Sequence, residues 1–371
     1  MDTKDHNADA TSPEAFAPNP GLILPAADLL EHPGTPILTP NDASPELAKR
    51  AKKPRTPFQE SLLRFSRDKR AMVSVGALIF LILLAIVGPP IYTHIGGTYN
   101  SDFNGQIGPT VYHDFAHQEL SHANEGPSAE YWFGTDGLGR DLFARLMQGL
   151  LISMLVAFLV EVVDIVLGVG IGVLAGYYGG WIDQFLARFT DLMFAFPSLL
   201  FIILIAGIFG PKADAAFHWI PILGAPGNAR IVLLIIGLSI TIWPLMARYV
   251  RGQTLQLKEQ QFVEAARTSG TSDLRIIMSH IIPNVFSLVF IAATLNVANT
   301  IISEAGISLL GLGVQDPGSS IGLMISNGLD QLQAGNPWQA LFPTIVLTII
   351  VLAISFLGDG LRDAFDPRSK D

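Results

Sequence analysis

The sequence predicts an all-helical membrane protein with six spanning helices. Half of its 371 residues are hydrophobic and only 15% are charged, whereas soluble domains carry about a quarter of charged residues. The hydrophobic residues are gathered into runs of about 20 residues, the length at which a helix crosses a bilayer. The predicted spans are residues 71–93, 150–177, 192–210, 229–249, 281–303 and 342–358.

Basic residues near the spans predict the orientation of the chain, because cytoplasmic loops of membrane proteins are enriched in Lys and Arg. A cytoplasmic N-terminus leaves nearly all of the 23 Lys and Arg residues on the cytoplasmic side. Arg140, Arg145, Lys212 and Arg230 then lie outside, 18 lie inside near the spans, and Lys4 is too far from the first span to be counted. Both the N- and C-termini are therefore predicted to be cytoplasmic.

The chain is predicted to divide into four parts. Residues 1–57 hold ten of the 24 prolines, a composition typical of a disordered cytoplasmic tail. Residues 58–93 combine an interfacial helix with the first span, and residues 94–147 form an external loop. Residues 148–368 form a core domain with the other five spans and a cytoplasmic connection at 258–283.

The interfacial helix carries Phe58, Leu62 and Phe65 on one face, with Arg64 and Arg67 beside them. This pattern suits a helix lying on an anionic inner leaflet, so membrane lipid is an expected partner. A basic cluster that only sets the orientation of the first span is equally consistent with these residues.

The connection 258–283 is too polar to cross a membrane, yet it is patterned for helix formation. One apolar helical face precedes Gly270, and a second follows Ser272, which stands as an N-cap. Gly270 offers the left-handed backbone that ends a helix, and Pro283 marks the start of the fifth span. The faces are Phe262, Ala265, Ala266 and Ser269, and then Leu274, Ile277, Met278 and Ile281. Two amphipathic helices meeting at a glycine elbow form either a docking surface or a connector resting on lipid.

Glu161 and Asp164 stand near the middle of the second span and share one helical face. A charge at this depth is costly and usually faces a cavity or a partner. One interpretation puts both residues on a translocation path, where they accept hydrogen bonds from cationic groups. Another keeps them protonated or hydrogen-bonded against a neighbouring subunit. As a proton or cation relay they would instead indicate an ion-coupled secondary transporter.

The stretch GTDGLGRD, residues 134–141, predicts a fixed external turn containing Gly134, Asp136 and Arg140. Its spacing does not match a calcium-binding loop. The chain has no cysteine, which excludes disulfides and thiolate metal sites. It also lacks the G-x-x-x-x-G-K-[ST] phosphate loop, so we expect no bound metal or cofactor and no ATP hydrolysis by this chain.

The cytoplasmic connection carries a family resemblance. Glu264-Ala265-Ala266, three residues, Gly270 and then Ile282-Pro283 resemble the EAA loop of bacterial ABC importer membrane subunits, although His280 stands where the pattern has an apolar residue. Further stretches resemble the C-type subunit of the dipeptide/oligopeptide permease family. They are FGTDGLGRDLFARLMQG (133–149), LAGYYGGWID (174–183), MARYVRGQTLQLKEQQFVEAA (246–266), ISLLGLGVQDP (307–317) and GDGLRDAFDP (358–367).

The resemblance implies a type I ABC importer transmembrane fold in a bacterial inner membrane. It implies that this non-catalytic permease subunit works with a homologous B-type permease subunit, two ABC ATPase subunits and an extracellular peptide-binding protein, and with no nucleic acid. The turn at 134–141 and Glu304 are expected near an external gate. The residues expected to dock the ATPase are Glu264, Ala265, Ala266, Gly270, Ile282 and Pro283.

Peptides of two or more residues are the substrates that the resemblance implies, although relatives also carry nickel chelates and other small solutes. A secondary transporter driven through Glu161 and Asp164 is the alternative from another class. A membrane scaffold without transport is a third possibility, which leaves the patterned connection unexplained.

Overall fold

A computed structural model describes residues 57–95, 98–100, 109–111, 113–225 and 227–365. The predicted tail lies outside these residues except for its last position, Pro57. In chain order the helices are α1 Pro57–Arg67, α2 Lys69–Ile95, α3 Leu142–Tyr178, α4 Gly180–Phe194, α5 Ser198–Phe217, α6 Arg230–Leu257, α7 Gln261–Thr268, α8 Asp273–Leu309, α9 Ile321–Leu332 and α10 Trp338–Phe365. Two short strands, β1 Thr98–Asn100 and β2 Pro109–Val111, pair antiparallel.

Among the described residues, five helices are long and apolar enough to cross a membrane: α2, α3, α6, α8 and α10. Helices α4 and α5 together form a sixth span if the two are counted as one broken span. The angle between them at the break is 71°. The third predicted span, residues 192–210, corresponds to the end of α4 and the first part of α5, with a break between them at residues 195–197. Pro197 explains the break, because proline lacks an N–H and disfavours helical backbone at the residue before it.

The second and fifth spans begin at residues 142 and 273, well before their predicted starts at 150 and 281. The second begins at Leu142 because the Asp141 carboxylate caps it, accepting from the backbone N–H of Phe143 at 2.8 Å and of Ala144 at 3.2 Å. The fifth span, α8, runs without a break from Asp273 through a π-helical turn at Ile277–Ile281.

The π-helical turn in α8 lies directly before Pro283. The N–H of Ile282 donates to the carbonyl of Ile277, one residue further back than in an α-helix. Pro283 has no N–H to continue the α-helical ladder, and a local π turn is one way for a helix to absorb such a defect.

Helix α3 packs against α6 along a line of small residues. Gly168, Gly172 and Gly176 recur every fourth position and are buried against Met246, Val250 and Thr254. Small residues let membrane helices approach closely. This contact runs to the C-terminal ends of α3 and α6, next to the connection 258–283.

Helix α1 rests partly on the chain itself. The Phe65 ring packs beside Gly360 of α10, whereas Leu62 on the same predicted face is 57% exposed. The apolar face is thus shared between α10 and the surroundings. Contact of Leu62 with the inner leaflet stays a prediction.

Candidate functional site

The glycine elbow predicted in the cytoplasmic connection is confirmed. Gly270 has a φ of +74°, in the left-handed region. The N–H of Thr271 donates to the carbonyl of Ala266 at 3.1 Å, and the N–H of Gly270 donates to Arg267 at 2.9 Å. These two bonds form a Schellman motif, which ends a helix at glycine. Ser272 has the extended backbone of an N-cap, but its side chain makes no capping hydrogen bond.

The second predicted helix is not a separate element, because it is the first part of α8. The predicted faces also need correction, since the chain buries Val263, Ile276, Ile277 and Ile281. Phe262, Leu274 and Met278 are 43%, 70% and 58% exposed. The apolar residues form two adjoining stripes, and periodicity does not tell which stripe the chain itself covers. The other stripe is left open.

The elbow is anchored to the cytoplasmic end of α3. The hydroxyl of Tyr177 donates to the Asp273 carboxylate at 2.7 Å. The guanidinium of Arg267 lies over the Tyr177 ring, 5.1 Å from its centre. Val263 and Ile276 are fully buried in a cluster that includes Val250 of α6. The elbow is therefore packed against α3 and α6 and is continuous with α8.

The elbow surface consists of the side chains that this anchoring leaves open. Glu264, Ala265, Gly270 and Pro283 are exposed, and Ala266 and Ile282 are half-buried. Nothing lies within 4 Å of where a Cβ on Gly270 would stand. The elbow surface is thus a small-residue patch bordered by exposed apolar side chains, Phe262, Leu274 and Met278.

The fixed turn predicted at 134–141 is also confirmed, whereas its external position stays a prediction. Gly134 and Gly139 have φ angles of +78° and +71°. One oxygen of Asp136 accepts from the backbone N–H of Leu138 at 2.9 Å and of Arg140 at 3.0 Å. Its other oxygen accepts from the Arg140 side chain at 2.7 Å.

The sequence interpretation missed two charged partners of this turn. Arg145, only 1% exposed, lies with its Nε 3.7 Å from the Asp136 carboxylate. Asp316, in the loop between α8 and α9, accepts hydrogen bonds from both Arg140 and Arg145. The external clamp formed by Asp136, Arg140, Arg145 and Asp316 ties the start of α3 to that loop. A basic residue inside an apolar helix could have drawn attention to Arg145.

Glu304 lies inside α8, whereas the sequence interpretation placed it in the connection after the fifth span. It is fully buried, and its carboxylate accepts from the hydroxyls of Ser153 and Ser308, each at 2.7 Å. The bond to Ser153 links α8 to α3. A role for Glu304 in gating stays a prediction.

The two mid-span carboxylates are covered by the chain's own helices. Glu161 is 5% exposed and Asp164 is fully buried. One oxygen of Asp164 accepts from the Asn296 amide of α8 at 2.9 Å. The other oxygen of Asp164 and both oxygens of Glu161 accept no hydrogen bond from an amide, hydroxyl or cationic group among the described residues, and the two carboxyl groups adjoin each other. In this conformation neither carboxylate reaches an open surface of the chain.

The fold and the site define a helical, multi-pass membrane protein with an anchored and exposed elbow. The chain belongs to the family described as binding-protein-dependent transport system inner membrane component, which matches residues 168–371. The N-terminal TM domain of oligopeptide transport permease C matches residues 56–127.

Curated relatives extend over most of the chain. The glutathione transport system permease protein GsiD of Salmonella typhimurium is 39% identical over 85% of this chain and 92% of its own length. The dipeptide transport system permease protein DppC of Alkalihalophilus pseudofirmus is 33% identical over 90% of this chain and 97% of its own. Among solved structures, the inward-facing MetNI methionine ABC transporter matches with 19% identity and a TM-score of 0.45, covering 59% of this chain and 96% of that chain.

The chain is therefore a multi-pass inner-membrane permease component of a bacterial binding-protein-dependent ABC importer. Such a component works with other permease, ATPase and binding-protein components. The predicted family, membrane location and fold class of the type I ABC importer membrane subunit are confirmed. The side of the membrane on which the termini lie stays a prediction.

Proposed function

We propose that this chain forms half of the pore of an ATP-driven importer of dipeptides and oligopeptides, without hydrolysing ATP itself. The second half is a homologous B-type permease subunit, two ABC ATPase subunits drive the cycle, and an extracellular binding protein delivers the peptide. The relatives named for glutathione and dipeptide transport support this substrate class, because both substrates are short amide-linked compounds.

The observation that carries the proposal is the elbow surface, which is open to a partner and rigidly joined to three helices of the membrane domain. The Glu264–Ala266 segment and Gly270 offer a close approach to the ATPase, and Ile282 and Pro283 border the same surface. The contact must differ between the two states of the ATPase, because equal binding to both states shifts nothing. Shifting the ratio of outward-facing to inward-facing pores from 1:99 to 99:1 requires the ATPase to bind one state about 5.5 kcal/mol more strongly than the other.

The external gate is proposed to include Gly134, Asp136, Arg140 and Glu304. The support is connectivity. Asp136 and Arg140 belong to the external clamp, which reaches the loop after α8, and Glu304 joins α8 to α3. A movement of α3 against α8 would therefore have to rearrange both contacts.

The proposal is tested by uptake of a labelled peptide series of increasing length into vesicles holding the complete importer. We expect uptake that requires ATP, the ATPase subunits and the binding protein. Uptake by this chain alone under a pH gradient would contradict the proposal and favour the secondary transporter.

Replacing both Glu161 and Asp164 by Ala tests whether these residues line the path. Their burial favours the structural alternative, so we expect uptake of lysine-containing and glutamate-containing peptides to fall equally, with less assembled importer. The reason is that Asn296 loses its acceptor, and an unsatisfied buried polar group costs about 1–3 kcal/mol. The measurement is total uptake of each peptide together with the amount of assembled importer.

The matched control for this pair is Glu161→Gln with Asp164→Asn, which keeps side-chain shape and leaves an acceptor for Asn296. We expect this variant to assemble more fully than the double Ala variant. A selective loss of lysine-containing peptides in either variant, at normal assembly, would show instead that the carboxylates meet the substrate.

A further inference from the structure

The break in the third span lies at membrane depth and is open on the surface of this chain. On its α4 side, Asp191 accepts from Arg248 of α6 at 2.8 Å, and on its α5 side Ile202 packs against Gly237. Residues 195–197 therefore lie beside the apolar stretch of α6 between these two contacts, and all three are exposed. Non-helical backbone at this depth is tolerated only where protein buries it or where it lines a water-filled cavity.

Helix α8 carries an exposed polar side chain on the face turned away from α3. Asn299 is exposed, whereas Asn296 and Thr300 on the other face are buried. The Ser303 hydroxyl donates to the carbonyl of Asn299 at 2.8 Å, so its hydrogen bond is satisfied within the helix. The Asn299 amide has no hydrogen-bond partner among the described residues. Facing hydrocarbon would leave this amide unsatisfied at a cost of several kcal/mol.

A cavity lies next to both features, although its lining includes neither Asn299 nor residues 195–197. It has a volume of about 320 Å³ and lies between α5, α6 and α8, with Ser198, Leu238, Ser303 and Gly306 among its lining residues. Ser198 directly follows the break, and Ser303 is one turn of helix from Asn299. A Cβ on Gly306 would meet nothing within 4 Å, so the helix surface is open there. The break, the cavity and the exposed amide thus form one continuous surface.

We propose that this surface lines the translocation path and that the Asn299 side chain hydrogen-bonds main-chain amides of a peptide in transit. The choice of a peptide rests on the proposed function. A carboxamide offers two N–H donors and a carbonyl acceptor, which complement the C=O and N–H groups of a peptide bond. Asn299 is neutral and contacts the main chain, which all peptides share. It therefore does not select peptides by the charge of their side chains. The buried Glu161 and Asp164 do not offer such a contact.

The test is thiol labelling, which the sequence favours because this subunit has no cysteine. Asn299→Cys is compared with Ile79→Cys, a position on α2 that is 52% exposed among apolar neighbours. Each variant is assembled with ATPase, binding protein and a second permease subunit free of reactive thiols. Labelling with a charged maleimide is followed with and without trialanine, its binding protein and ATP. We expect Asn299→Cys to react on the order of tenfold faster or more, since the reagent needs water around the thiol, and we expect trialanine to slow it.

Labelling of Asn299→Cys as slow as that of Ile79→Cys would overturn the proposal, because this face would then contact lipid or a helix of the second permease subunit. Rapid labelling that trialanine leaves unchanged, in an importer that transports trialanine, would overturn the peptide contact. An importer that couples ATP hydrolysis to another solute but not to trialanine refutes the peptide substrate. In that case labelling without peptide still decides whether Asn299 lines the path.

Asn299→Leu provides the second readout, because leucine has a similar size but no hydrogen-bonding groups. We expect trialanine uptake to fall severalfold per assembled complex, while Ile79→Cys keeps wild-type uptake. Wild-type uptake by Asn299→Leu would contradict a hydrogen bond to the peptide.

Discussion

We expect the replacement of Gly270 by Arg to abolish peptide uptake while the subunit stays in the membrane at its normal level. The left-handed backbone at this position costs a non-glycine residue about 1–2 kcal/mol. No atom of this chain lies within 4 Å of the new Cβ, so the side chain does not clash within the subunit. No apolar span is altered either. The long side chain instead occupies the volume through which the ATPase approaches Ala265 and Ala266.

The Gly270→Arg result is measured by pull-down of the ATPase subunits together with peptide uptake, at equal membrane abundance. Gly335→Arg is the matched control, because Gly335 also has a positive φ, of +89°, and open space around it but lies between α9 and α10. Glu264→Ala should act like Gly270→Arg but more weakly, since it removes one polar contact and leaves the elbow. Wild-type uptake by Gly270→Arg would contradict ATPase docking at the elbow and would indicate that the elbow only connects α7 to α8.

We expect the replacement of Asp136 by Ala to prevent accumulation of a folded subunit. Asp136 contacts the guanidinium groups of Arg140 and Arg145, which are 3% and 1% exposed. Removing one partner of a buried ion pair costs about 3–5 kcal/mol, because it leaves an uncompensated buried charge. The turn also loses the carboxylate that accepts from two of its backbone N–H groups.

The matched control for Asp136→Ala is Asp316→Ala, on the exposed side of the same external clamp. Asp316 is 51% exposed, and ion pairs of exposed groups contribute about 0–1 kcal/mol. We therefore expect Asp316→Ala to keep most of the subunit. Abundance in membranes and the melting temperature of the detergent-solubilised importer are measured for both. Equal losses would contradict the assignment of Asp136 as the central acceptor of the clamp.

The features that the sequence predicted well depend on local physics. Apolar runs give the spans, because crossing the bilayer requires a minimum length of apolar helix. Gly270 gives the elbow, because a glycine after an amphipathic turn ends a helix with hydrogen bonds between near neighbours. The π turn before Pro283 and the start of α3 after Asp141 also have local causes. Hydrophobic periodicity by itself nevertheless predicted the starts of the second and fifth spans too late.

The features that the sequence did not predict depend on contacts between distant residues. Asp316 forms an ion pair with Arg140, which lies 176 positions earlier in the chain, and no local sequence pattern around either residue predicts this pair. Likewise, the sequence around a carboxylate in a span does not show whether the carboxylate faces a translocation path or a neighbouring helix. Only packing shows that Asp164 meets Asn296. Asn299 drew no attention because a lone asparagine in an apolar run does not show which face of the helix is open.

The central claim, that the elbow couples this subunit to an ATPase, is tested most directly by cross-linking from Ala265→Cys in the complete importer. The position is exposed on the elbow surface, and the cysteine is the only thiol of the subunit. We predict a cross-link to an ATPase subunit whose yield changes between the nucleotide-free and ATP-bound states, and none from Gly335→Cys. Absence of any cross-link from Ala265→Cys in both states, in an importer that transports peptide, would contradict the account.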